Sequence, residues 1–113
     1  MPDVALSLVV IRSPDLDRCR RFYEALGLSF NEEQHCTGPA HLAAVLTGGA
    51  VLEIYPATDP GPVDRGTLAD TRLGFIVDDL PAALAAIGAT PATEGKAVVT
   101  DPDGRRIELA QRA

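Results

Sequence analysis

The sequence predicts an α+β fold built from two βαβββ modules. Three observations carry that prediction. A strand, a tight corner and an amphipathic helix follow one another over Leu6–Gly27. A weaker copy of the same unit restarts at Arg72. After each helix come short apolar segments separated by turn residues, and such an internal repetition is the mark of a duplicated unit.

Leu6–Ile11 is a nearly continuous apolar run rich in β-branched residues, the pattern of a buried strand. Ser13-Pro14-Asp15 then starts a helix: Ser13 or Asp15 can cap free N–H groups, and Pro14 is tolerated in a first turn. Leu16, Cys19, Tyr23 and Leu26 form the apolar stripe with Phe22 beside it, while Arg18, Arg20, Arg21 and Glu24 take the wet side. Gly27 ends the helix. Leu28–Gln34, His41–Leu46 and Ala50–Tyr55 are the next strands, with a turn over His35–Pro39 and a Gly48-Gly49 hairpin.

Pro56–Asp70 is rich in Pro, Gly, Asp and Thr and reads as a connection. In the second half, Arg72–Val77 is a strand, Asp78–Pro81 a capped corner, Ala82–Ile87 a short helix closed by Gly88, and Thr90–Gly95 a weakly defined strand. Lys96–Thr100, the Asp101–Gly104 turn and Arg105–Gln111 complete the module. The expected organisation is a single domain over 1–113, with module one at about 4–57, a linker at 58–70 and module two at about 71–113.

The composition narrows the function. The 113 residues are 46% hydrophobic and carry a net charge of −6, which supports a real core and opposes general binding to phosphate backbones. No apolar run approaches the roughly 20 residues that span a bilayer, and no export signal is visible. A cytoplasmic protein with neither nucleic-acid nor membrane partners is expected. The two cysteines, Cys19 and Cys36, lack metal or redox spacing and are read as reduced thiols. No Ser-His-Asp arrangement and no phosphate-binding glycine loop is present.

Strand alternation picks out the candidate site. Leu52 and Ile54 share one face and Glu53 opposes them with Tyr55. Ile107 and Leu109 oppose Glu108, and Leu73, Phe75 and Val77 oppose Arg72. His41 opens the third strand, on the same face as Ala43 and Val45, where it can act as acid, base or hydrogen-bond donor. His35 falls in the turn before that strand, and its neighbour Cys36 points to the opposite face.

Asp15-Leu16, Phe22-Tyr23, Leu26-Gly27 and Val51–Ile54, then Gly74–Leu80, Asp101–Gly104 and Ile107–Leu109, give the chain a resemblance. It resembles the glyoxalase/bleomycin-resistance/extradiol-dioxygenase proteins, the vicinal oxygen chelate superfamily, over nearly its whole length. The resemblance implies curved mixed sheets around a cleft, a homodimer, and a small organic ligand. The superfamily includes isomerases, epimerases, dioxygenases, thiol transferases and drug-sequestering proteins, so activity does not follow from fold.

Metal-dependent members place one ligand on the first and one on the fourth strand of each module. Here those positions are Leu8, Glu53, Arg72 and Glu108, and many relatives have His at the first and third. Leu8 cannot ligate and Arg72 brings a fixed positive charge, so the expectation is a small-molecule protein without the usual metal or any other cofactor. Arg72, Leu8, Val10 and Tyr55 are then the ligand-binding candidates, with Arg72 pairing Glu53 or Glu108. Glu53, Glu108 and His41 are the catalytic candidates if acid–base chemistry occurs. Two alternatives stand beside this reading. One is a metal-dependent lyase or isomerase holding a divalent ion through Glu53, Glu108 and His41. The other is a drug-sequestering resistance protein.

Overall fold

The computed structural model describes residues 3–57 and 71–113; the linker expected over 58–70 lies outside the described residues. The first half contains β1 (Leu8–Ser13), α1 (Leu16–Leu26), β2 (Asn31–Glu33), β3 (His41–Val45) and β4 (Val51–Pro56). The second contains β5 (Arg72–Val77), α2 (Leu80–Ala86), β6 (Lys96–Thr100) and β7 (Arg106–Gln111). Two mixed sheets result, in the orders β1-β4-β3-β2 and β5-β7-β6. In each, the strand before the helix runs parallel to the last strand of its half, and the remaining neighbours are antiparallel.

The second half departs from the expected pattern at one point. Thr90–Gly95 forms no strand, so among the described residues that sheet has three strands where the first has four. The segment carries Pro91, which lacks a backbone donor, and Gly95, and it has no alternating apolar residues to pack as a strand. The second strand of the first half is also shorter than Leu28–Gln34 suggests, because Leu28 and Phe30 are drawn onto the core instead.

The two helices repeat one construction. Asp15 and Asp79 each cap their helix, accepting N–H bonds from Arg18 and Ala82 at 3.1 Å. Ser13 is not the cap: its buried Oγ accepts from the Asp15 N–H at 3.2 Å and donates to the Asp15 carbonyl at 3.0 Å, locking the corner. Gly27 closes α1 at φ 116°, a left-handed conformation in which its N–H reaches back to Glu24. Each sheet turns one face to a shared core. Ile11, Leu52 and Ile54 from one sheet and Val77, Ile107 and Leu109 from the other meet Cys19, Tyr23, Leu26, Leu80 and Leu84 of the helices. The helices touch each other, so the halves are joined through their helical layers and the opposite sheet faces stay open.

A buried polar knot adds to that junction. Asp101 accepts from Tyr23 Oη at 2.6 Å, from Arg105 Nη1 at 3.0 Å, and from the Asp103 and Arg105 backbone N–H groups at 2.9 Å. Arg105 also bonds Asp103 at 3.2 Å and donates to the carbonyl of Arg12 in β1. Burial opposes the Arg105 charge, and the hydrogen bond and charge of Asp101 outweigh it, raising its pKa. Burial and Asp101 likewise push the Tyr23 phenol well up. Among the described residues no helix is long and apolar enough to cross a membrane.

Candidate functional site

The open face of the first sheet is laid out by strand register. Cross-strand partners share a face, so Val10, Glu53 and Ala43 form one row. The next row holds Arg12 and Tyr55, followed by His41 and Glu33. Two residues separate Tyr55 from Glu53 along β4 and His41 from Ala43 along β3, which puts both rings on this face. They stack with centroids 4.1 Å apart and planes 9° from parallel, and the Arg12 guanidinium lies 5.6 Å from the Tyr55 ring centre.

His41 is the centre of this arrangement. Its side chain is 1% exposed, yet its Nε2 lies 3.3 Å from Glu53 Oε2 and 3.6 Å from Glu33 Oε1. Its Nδ1 is 3.2 Å from the Pro39 carbonyl. A carbonyl only accepts, so Nδ1 carries a proton and donates. Among the described residues, Nε2 has no hydrogen-bond partner of good geometry despite being buried. The loop from β2 to β3 brings in a second imidazole. Cys36 adopts a left-handed φ of 54° and the Gly38 N–H bonds the His35 carbonyl at 2.9 Å, which folds the chain back. His35 consequently stands 5.1 Å from His41, ring to ring, with Nε2 3.7 Å from Glu33.

The open face of the second sheet carries the other candidates. Arg72 Nη1 meets Glu108 Oε1 at 3.3 Å, and both side chains are half exposed. Beside Glu108 lies a hollow of about 430 Å³ lined by β5, β6 and β7 alone, including Gly74, Ile76, Lys96, Val98 and Ala110. Leu8, Val10, Ile76 and Val98 are exposed apolar residues of the two open faces.

The expected site residues therefore fall in two groups. Glu53, His41 and Tyr55 come together on the first sheet with Leu8 and Val10 along its edge strand. Arg72 and Glu108 come together on the second. Arg72 pairs with Glu108, one of the two partners expected for it. Glu53 is instead engaged by His41. Sequence reading missed Glu33 and placed His35 in the turn before β3, behind His41 as a candidate. The available signal was the spacing Glu33-x-His35, which puts both on one side of an extended segment.

The four positions that the resemblance assigns to metal ligation do not fit a divalent ion. Leu8 has no donor atom, and the Arg72 guanidinium occupies the neighbourhood of Glu108.

The sequence model of the family described as Glyoxalase-like domain matches residues 8–110. No curated protein matches the sequence. Several solved structures share the fold. A glyoxalase/dioxygenase from Nostoc punctiforme is 21% identical, with a TM-score of 0.70 over 96% of this chain and 91% of that one. TnmS3, an antibiotic binding protein from Streptomyces sp. CB03234, is 22% identical, with a TM-score of 0.68 over 100% and 99% of the two chains. The protein SMU.1112c is 27% identical, with a TM-score of 0.66 over 95% and 98%.

Proposed function

The chain belongs to the glyoxalase-like domain family, within the vicinal oxygen chelate superfamily, and on that premise we propose that it binds a small organic molecule on its open sheet faces. The observation that carries this reading is the hollow beside Glu108, apolar along Ile76, Val98 and Ala110 and flanked by charge at Arg72 and Lys96. An apolar concavity with a few convergent polar groups is the ordinary form of a small-molecule site. Arg72 supplies a planar donor for a carboxylate, sulfonate or enolate oxygen, and Leu8 and Val10 supply apolar wall. The sequestering form of this function has support from TnmS3, a structural neighbour that is an antibiotic binding protein.

The ligand is enclosed by a second copy. The open faces belong to different sheets and back onto one shared core, so one chain offers two half-sites. In a homodimer, Leu8, Val10 and Glu53 of one protomer stand opposite Arg72 and Glu108 of its partner. The Glu53–His41 contact gives such a cleft an acid–base pair. The Leu8 and Arg72 side chains do not supply the ligands of the superfamily's usual metal chemistry.

Anilinonaphthalene sulfonate, an apolar ring system with an anionic group, tests the site. Native protein is expected to bind it at fixed stoichiometry with enhanced fluorescence. Arg72→Ala should weaken that binding roughly tenfold or more, the value of a hydrogen bond to a charged group. Equal binding by Arg72→Ala and by Leu8→Glu rejects this site.

A further inference from the structure

We propose that Glu33, His35, His41 and Glu53 form a binding site for a first-row divalent transition ion, contained within the first half of the chain. This inference is independent of the hollow beside Glu108, which carries the ligand reading above through Arg72 and the second sheet, although it shares His41 and Glu53 with the first-sheet side of that cleft. It is also displaced from the four positions at which the resemblance would put a metal, since only Glu53 is common to both sets.

Four observations support it. One donor atom from each of the four side chains lies within 4.8 Å of every other. An ion with donors at about 2.0–2.2 Å in a tetrahedron requires donor–donor edges of about 3.3–3.6 Å. The measured separations are 3.3 Å for His41–Glu53, 3.6 Å for His41–Glu33 and 3.7 Å for His35–Glu33. Three of the six donor edges are therefore at or near tetrahedral values, and the other three lie within 4.8 Å.

The buried His41 Nε2 is the second observation. It points at two carboxylate oxygens and has no hydrogen-bond partner among the described residues. An imidazolium would draw those oxygens to the shorter separations of charge-assisted bonds, about 2.7–2.9 Å. A neutral Nε2 lone pair facing two carboxylates needs a cation between them. The third observation is the other ring nitrogen. The Pro39 carbonyl accepts from Nδ1 at 3.2 Å, the outer contact that fixes tautomer and ring direction in metal-bound histidines. Fourth, the chemistry of the donors fits. Two imidazoles and two carboxylates suit zinc, cobalt or nickel, and the two negative charges balance a divalent cation.

The site holds its ligands in an order of decreasing constraint. His41 is buried, Glu53 is half-buried, and Glu33 and His35 are exposed. An ion would enter from the side of Glu33 and His35, which join it last. The Tyr55 ring against His41 restrains the imidazole from rotating away.

The test uses the untagged full chain, stripped with chelator and desalted. Titration with cobalt(II) should give visible absorption of four-coordinate intensity, saturating at one ion per chain, and zinc should displace it. Glu33→Gln and His35→Ala change exposed side chains, so their folding can be checked by circular dichroism. Each should weaken binding about tenfold or more. Binding that is absent, that exceeds one ion per chain without saturating, or that survives both substitutions unchanged overturns the site. Histidine nitrogen NMR gives a second readout. Zinc should shift His41 Nε2, and a His41 ring protonated on both nitrogens and unmoved by zinc overturns the proposal. Arg72→Ala should bind cobalt normally, which separates failure here from failure of the organic-ligand reading.

Discussion

Cys19 and Cys36 show how differently one residue type behaves in two settings. Cys19 is fully buried on α1, and burial first, then the charges of Asp103 and Asp101, push its thiol up to about 12. Cys36 is exposed in the loop after β2. One equivalent of a thiol reagent should therefore react with the native protein, and a second only on unfolding. The same shift sets an alkaline limit. The folded chain holds the Cys19 proton while the unfolded chain releases it near pH 9, so stability falls as pH rises from 9 towards 12. The loss approaches about 1.4 kcal/mol per pH unit from this group. Tyr23, also raised by burial and Asp101, adds loss of the same sign above about pH 10. Urea midpoints measured from pH 8 to 10.5 should decline from pH 9, and Cys19→Ala should flatten the first unit of that decline. At this scale the sequence was informative about direction. Alternation along β4 and β7 put Glu53 and Glu108 opposite the core residues, and the helical stripe of α1 put Cys19 and Tyr23 inside. The sequence was silent about the burial of Asp101 and Asp103, read as part of a turn, and of Arg105, read as the start of the last strand. Their burial depends on Tyr23, 78 positions away from Asp101, and on the Arg12 carbonyl.

At the level of elements, the repeated corner explains why the helices were legible. Each begins with an Asp whose carboxylate accepts from the N–H three residues on, a local signal that needs no tertiary context. Asp15→Ala and Asp79→Ala should each cost about 1 kcal/mol, seen as a lower urea midpoint with an unchanged slope. The equality is the informative part, since α1 has 11 residues and α2 only 7. A much larger loss at Asp79 would mean that the shorter helix depends on its cap for existence. The strands were less legible where neighbours decide. Leu28–Gln34 has the composition of a strand, but only Asn31–Glu33 finds a partner in β3. The loop from β2 to β3 was opaque for the same reason. A left-handed Cys36 is not foreseeable from composition, and it is this turn that carries His35 back to His41.

For the molecule as a whole, the open faces raise the question of what covers them. Leu8 and Val10 on the edge strand β1, and Ile76 and Val98 on the second sheet, are 42–62% exposed. Apolar surface left open on both sheets is the expected partner surface of a second copy. Sedimentation at micromolar concentration should give a dimer. Leu8→Glu with Val98→Glu should return it to monomer while leaving the far-ultraviolet spectrum intact. A wild-type monomer at that concentration contradicts the enclosed cleft.

The Tyr23–Asp101–Arg105 knot has a mechanical consequence for such an assembly. It ties α1 and β1 of one half to the turn before β7 of the other, inside a core that both halves share. Opening a hinge between the halves would strip partners from a buried guanidinium and a buried carboxylate together, at a cost of several kcal/mol. Each chain is thus a stiff strut that would hold the two proposed half-sites at a fixed angle. A cleft made from two such struts can grip a ligand only by sliding or rocking one copy against the other, so the fit to ligand size would be set at the seam between chains.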